Sequence, residues 1–304
     1  MRDAFIEKLS ELAKKDSKVI LVTGDLGFGV FDKFREELPD QFINAGIAEQ
    51  NMLGLATGLA LEGFKVFVYS IANFSTLRCL EQIRNDACYH DANLTVVSIG
   101  GGFSYGALGM SHHATEDLSI MRSFPMGVYA PTDLNEVKHI TEHLVNSKGT
   151  SYLRLDKTNA PVDRDFSQYK TNEPQLVRKG SDVCFVTCGG ICLDVLEAAE
   201  SLEKNHNLTS SVYTIPDLNN VETEQWLSDV AKHKALITVE ENTVVGGLGG
   251  LVAEKWMESS HDKIPFRRIG MKEGFSSIVG SQPYLKAHYK MDAKEIEKVA
   301  LELL

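Results

Sequence analysis

Short apolar runs recur along the chain, each ended by a turn residue and followed by a helical pattern. Residues 18–24 (KVILVTG), 64–70 (FKVFVYS), 93–102 (NLTVVSIGGG), 126–133 (MGVYAPTD) and 150–156 (TSYLRLD) read as strands. They are almost continuously apolar rather than alternating, which suits strands buried on both faces of a parallel sheet. Between them, residues 51–63 (NMLGLATGLALEG) and 80–90 (LEQIRNDACYH) suit packing helices, so this half predicts an α/β unit with crossovers. The pattern stops over 156–180, where mixed charge and two prolines read as a linker. It then resumes with strands at 181–190, 208–219 and 235–242, a helix at 191–205, and a glycine turn entering a helix at 243–258. The expectation is two domains, 1–160 and 179–304, joined by 161–178, each a mostly parallel sheet flanked by helices.

Composition narrows the class. A chain of 304 residues with 43% hydrophobic content can bury two cores. A net charge of −11 argues against nucleic acid or an acidic membrane as the main partner. No apolar run approaches the roughly 18 residues of a membrane span. The opening MRDAFIEKLSELAKK is an amphipathic helix containing acids, unlike a secretory signal or transit peptide. Five cysteines, an odd number in a chain this long, point to reduced thiols in a cytoplasm. Cys184, Cys188 and Cys192 are spaced four apart, but strand, glycine turn and helix should make them diverge, so no metal site is expected.

Several residues are candidates for chemistry. Glu49 is the one acid in FINAGIAEQNM (42–52), at a strand-to-helix junction. It reads as a first-turn acid favoured by the helix dipole or as a catalytic carboxylate. Asp25, in GDLGFG, follows a strand at the end where open α/β sheets bind ligands, and equally suits a turn. His112 and His113 follow a glycine-rich loop; histidine carries protons near neutral pH, and paired histidines also serve packing. Arg2 and Arg154 suit bidentate capture of a phosphate or carboxylate, or a surface role. GGLGG (246–250) lacks both the Lys-Ser/Thr of a P-loop and the dinucleotide spacing, leaving close helix packing or a phosphate cradle.

In their order, the segments FINAGIAEQNMLGLATGLALEG (42–63), FSTLRCLEQIRND (74–86), MSHHATEDLSIMRSFPMGVYAPTD (110–133) and VEENTVVGGLGG (239–250) resemble the C-terminal half of transketolase. Such halves exist as separate subunits of split transketolases, and the resemblance spans essentially the whole chain. It implies a pyrimidine-binding domain followed by the transketolase C-terminal domain. It also implies a thiamine diphosphate-dependent transferase moving a two-carbon ketol unit from a ketose phosphate to an aldose. By this resemblance Glu49 hydrogen-bonds N1′ of the aminopyrimidine, Phe74 stacks on that ring, and Ile71 stands where a second aromatic is common. Asp25 matches an acid near cofactor and substrate, and His112 the histidine beside the donor sugar's oxygens. His113 stands where Gln or His follows, while Arg2 and Arg154 match positions that grip the sugar phosphate.

Two departures concern the donor. Leu108 stands where an Asp reads a donor hydroxyl, and Gly100 where a histidine opens the loop. Loss of hydroxyl readers implies a modified sugar, such as a deoxy or amino sugar. A third departure is larger: the Gly-Asp-Gly segment and downstream Asn that hold Mg²⁺ and the diphosphate have no counterpart. A separate N-terminal subunit should supply them, making an α₂β₂ heterotetramer with a shared site. The β subunit of a 2-oxo acid dehydrogenase and deoxyxylulose phosphate synthase share the layout, and a non-catalytic regulatory subunit is the alternative of another class.

Overall fold

The computed structural model describes the chain except Phe28, Asp163 and Glu273, so one residue of GDLGFG and one of the expected linker lie outside the described residues. The first sheet contains β1 (Val19–Thr23), β2 (Phe42–Asn44), β3 (Lys65–Ile71), β4 (Leu94–Ile99), β5 (Gly127–Tyr129) and β6 (Ser151–Leu155). They run in the order β2-β1-β3-β4-β6-β5, with every pairing parallel. β1, β4 and β6 are buried at every position, as their unbroken apolar runs require. The second sheet contains β7 (Gln175–Arg178), β8 (Val183–Thr187), β9 (Ser210–Thr214), β10 (Ala235–Thr243) and β11 (Phe266–Met271). Its order is β11-β10-β8-β9-β7, parallel but for β7 against β9. The fold is thus α/β in both halves.

The two halves share a core. One apolar cluster runs from Val22 and Val96 of the first sheet to Val186 and Leu236 of the second and to Trp256 on the helix Leu248–Glu258. The opposite face of the first sheet packs on the helix Arg2–Ala13 through Phe5, Phe67 and Leu153.

The segment expected to be a linker is strapped down. Arg164 pairs with Asp133 at 2.9 Å and Glu136 at 3.0 Å, and the Tyr169 hydroxyl donates to Glu136 at 2.8 Å. Its last residues form β7 on the sheet edge. A polar stretch looks like a free linker when its partners, here on the helix Leu134–Asn146, are distant in sequence.

The junction also holds a buried charge cluster. Arg154 on β6 is 2% exposed. Its guanidinium donates to Asp156 at 2.9 Å, to Asp117 at 3.3 Å and to the Glu241 carbonyl at 3.0 Å. Glycine is required beside it. A Cβ on Gly101 would overlap Arg154, and one on Gly102 would overlap Glu241. The Glu241 carboxylate accepts from the Phe103 backbone N–H, and both of its oxygens face the Gln282 amide nitrogen.

Burial, reinforced by Asp156, pushes the Glu241 carboxyl up from its ordinary 4.5 to about 7. A carboxyl with a raised folded value holds its proton longer in the fold than in the unfolded chain. Stability is therefore expected to fall as pH rises between about 4.5 and 7. Thermal melts of Glu241→Gln should show a flatter pH dependence than the parent across that window; an unchanged slope would refute this assignment.

Candidate functional site

The carboxyl ends of β1, β3 and β4 open side by side, where an open parallel sheet presents its loops to a ligand. Each contributes one part of a single cluster: the turn at Gly24–Asp25, the short helix Ala72–Ser75, and the loop 100–116.

Glu49 is the first residue of the helix Glu49–Leu61 and is buried, at 7% exposure. No side chain caps that helix. The Glu49 carboxylate instead accepts from Arg78 Nη1 at 2.9 Å. The same guanidinium lies over the Phe74 ring, 3.9 Å from its centroid. The edge of the His112 ring meets Phe74 at a centroid distance of 5.2 Å, and the Tyr105 ring lies 6.4 Å from His112. Glu49, Arg78, Phe74, His112 and Tyr105 thus form one continuous row. Burial, with His113 and Arg78 nearby, lowers the His112 pKa, which favours the neutral ring. Its Nδ1 lies 3.0 Å from the Ser111 hydroxyl. Next to the row, a cavity of about 270 Å³ is lined by Asn73, Phe74, Arg78, Glu116 and, from the second half, Phe275.

Asp25 sits beside this row in a positive-φ turn (φ 58°), a strained backbone for a residue with a Cβ. The strain is held by Asn44, which accepts from the Asp25 N–H at 3.0 Å and donates to its carboxylate at 2.9 Å. Ile71 ends β3, packs on the cluster beneath the N-terminal helix, and directly precedes the short helix Ala72–Ser75 that carries Phe74.

His113 turns away from the row. Its ring is buried, with Nε2 donating to the Gly106 carbonyl at 2.9 Å and Nδ1 accepting from the Ser276 hydroxyl. A carbonyl only accepts, which fixes the tautomer. With both nitrogens engaged, His113 clips the loop to the second half, and it also lines the cavity beside the row. The Asn73 amide fastens the same loop through the Ser111 and His113 carbonyls.

Arg154 is also displaced from its expected role. Its guanidinium is committed inside the junction, and it has no exposed face for a phosphate. Besides Arg78, exposed cations at this end include Arg2, half-exposed and 2.8 Å from Asp3, and Lys157, just beyond β6. Lys157 Nζ lies 3.8 Å from the Tyr105 ring centroid, and Arg2 is close enough to help burial lower its pKa. Lys157, Arg78 and Tyr105 escaped the sequence reading. Arg78 stands four residues after Phe74, which was a usable spacing signal; Lys157 offered none.

The two departures take shape here. Gly100 has φ 91°, and the Tyr105 ring fills the space its side chain would need. Leu108 is 56% exposed. The glycine turn at 246–250 holds an internal anion. Glu240 accepts from the Leu248 and Gly249 backbone N–H groups, each at 2.8 Å, so no external phosphate can use that cradle. All five cysteines are free, and among the described residues no group of His, Cys, Asp and Glu is placed to hold a metal ion. Among those residues no helix is long and apolar enough to cross a membrane.

Comparison with known proteins points the same way. Residues 1–162 match the family described as transketolase, pyrimidine binding domain, and residues 173–296 match transketolase, C-terminal domain. A protein of Actinobacillus succinogenes, named as one subunit of an apulose-4-phosphate transketolase, is 33% identical, covering 89% of this chain and 87% of its own length. A 6-deoxy-6-sulfo-D-fructose transketolase subunit of Clostridium sp. (strain MSTE9) is 31% identical, covering 100% of this chain and 94% of its own. A solved structure described as a split gene transketolase, inactive beta4 tetramer, superposes with a TM-score of 0.87 at 29% identity. It covers 100% of this chain and 97% of that chain.

Proposed function

Because this chain belongs to the transketolase family, with its pyrimidine-binding and C-terminal domains, and is a transketolase-type transferase subunit, we propose that it carries the pyrimidine half of a shared thiamine diphosphate site. In this reading it moves a two-carbon ketol unit from a ketose phosphate to an aldose, and only with a partner subunit.

The observation that carries the reading is the sandwich on Glu49. A flat cation lies on Phe74 while donating to a buried carboxylate. An aminopyrimidine protonated at N1′ is also flat, cationic and a donor along its edge, so Glu49 and Phe74 fit that ring. When bound, the cofactor supplies the carbanion-stabilising chemistry of ketol transfer. Glu49 holds or releases the proton at N1′. Phe74 sets the plane of the ring. Asp25 and Ile71 shape the turns on either side. His112, kept neutral and with Nδ1 beside the Ser111 hydroxyl, offers Nε2 to the donor's oxygens. Arg2 and Lys157 hold the sugar phosphate, Lys157 taking the part expected of Arg154.

Diphosphate and Mg²⁺ are assigned to an N-terminal subunit, because the segments that would hold them have no counterpart in this sequence. An α₂β₂ complex in the cytoplasm is the arrangement proposed, the location supported by the odd cysteine count in a chain of this size. The donor is a modified sugar. Tyr105 stands in the space of a hydroxyl-reading histidine, and Leu108 offers an apolar surface where an acid would read a hydroxyl. Two relatives are named for unusual sugars, apulose 4-phosphate and 6-deoxy-6-sulfofructose.

Calorimetry tests this directly. Thiamine diphosphate with Mg²⁺ should bind the mixture of this chain with its candidate partner and not this chain alone. Turnover of a ketose panel should then favour modified donors over xylulose 5-phosphate. Tight binding by this chain alone would sink the shared-site reading, and turnover of pyruvate in place of any ketose would move the chain to the 2-oxo acid dehydrogenase side.

A further inference from the structure

We infer that Arg78 is the resident occupant of the pyrimidine site, and that the cofactor enters by exchange with its guanidinium. This rests on the reading of Glu49 and Phe74 given above.

One planar group makes both contacts: Nη1 is 2.9 Å from Glu49 Oε1, and the guanidinium carbon is 3.9 Å from the Phe74 centroid. A buried carboxylate without a donor is unfavourable, so a free subunit needs something at Glu49. Arg78 meets that need with the same two interactions, a stack and a charge-assisted hydrogen bond, that an aminopyrimidine would use.

The pair is asymmetric in a way that permits exchange. The Glu49 side chain is 8% exposed, whereas that of Arg78 is 51% exposed. The acid is fixed in the wall, while the arginine already has half its surface in water and regains hydration on leaving. Arg154 shows the opposite case: at 2% exposure, with three acceptors inside the fold, it has no such route. Arg78 also sits on irregular backbone, the single 3₁₀ turn Leu77–Cys79, followed by the π-helical turns Gln82–Cys88.

An occupant that must leave weakens the apparent affinity of whatever replaces it. Arg78→Ala should therefore tighten thiamine diphosphate binding, measured by calorimetry with Mg²⁺ on the complex with the diphosphate-binding partner. The expected fall in Kd is roughly three- to thirtyfold, the scale of one half-exposed ion pair with a cation–π contact. Arg78→Lys keeps the charge without the flat stack and should fall between the two. It also serves as the informative variant if the alanine form does not fold. Equal or weaker binding by both variants would overturn the inference and make Arg78 a cofactor contact or a bystander. Failure of the parent complex itself to bind would instead remove the underlying reading of the site.

Discussion

Replacing Glu49 with Gln is expected to lower kcat of the reconstituted complex by roughly 10²–10⁴-fold, the usual contribution of a positioned acid–base group. The side chain is buried at the head of the helix Glu49–Leu61, and its carboxylate accepts from Arg78, which lies over Phe74, rather than from the helix's own N–H groups. Gln keeps the shape and can hydrogen-bond to a ring nitrogen, but it neither gains nor loses a proton. If Glu49 served only the helix dipole, the substitution would cost about 0.3–1 kcal/mol of stability and leave turnover intact. Steady-state kinetics and a thermal melt on the same preparation separate the two. A large loss of kcat with a shift of no more than a few degrees supports the catalytic role; full activity with a lowered Tm supports the helix role.

Arg154→Met should produce the largest loss of stability, about 3–5 kcal/mol, because it strands Asp117 and Asp156 in the interior without their cation. At the scale of a domain this size, the Tm should fall by roughly 10 °C. Lys157→Ala should behave in the opposite way. Its ammonium lies over Tyr105 at the edge of the site, outside the buried cluster. Loss of one charged hydrogen bond to phosphate should raise KM for a phosphorylated donor by roughly 10–100-fold while the melt stays in place. A non-phosphorylated donor should be unaffected by it. If Arg154→Met instead folded normally and raised only KM, the arginine would belong to the substrate after all.

The contrast between these two basic residues shows where reading the chain succeeds and fails. Arg154 and Lys157 are three positions apart, at and just beyond the end of β6. Both look like cations at the ligand-binding end of a sheet. Arg154 lies within a strand buried on both faces and Lys157 beyond its end, and the fate of the buried one depends on Asp117 and on Glu241, 37 and 87 positions away. The two histidines differ for the same reason. His112 faces Phe74, whereas His113 is claimed by Gly106 and by Ser276, 163 positions on.

The family resemblance joined Glu49 to Phe74, whereas local pattern alone determined two things, five of the six strands of the first sheet and the α/β class. Each of these rests on signals carried within a few consecutive residues: continuous apolar runs, glycine turns and helix entries. β7 and β11 were not legible, because edge strands with partly wet faces lack such a run. The tertiary structure alone decided which polar groups were already spoken for: Glu240 in the glycine cradle, Arg164 in the strap, Arg154 in the junction, and Arg78 on Glu49. Burial makes an unpaired charge costly, so each buried ion must find its partner wherever the chain brings one, and that distance is set by the fold.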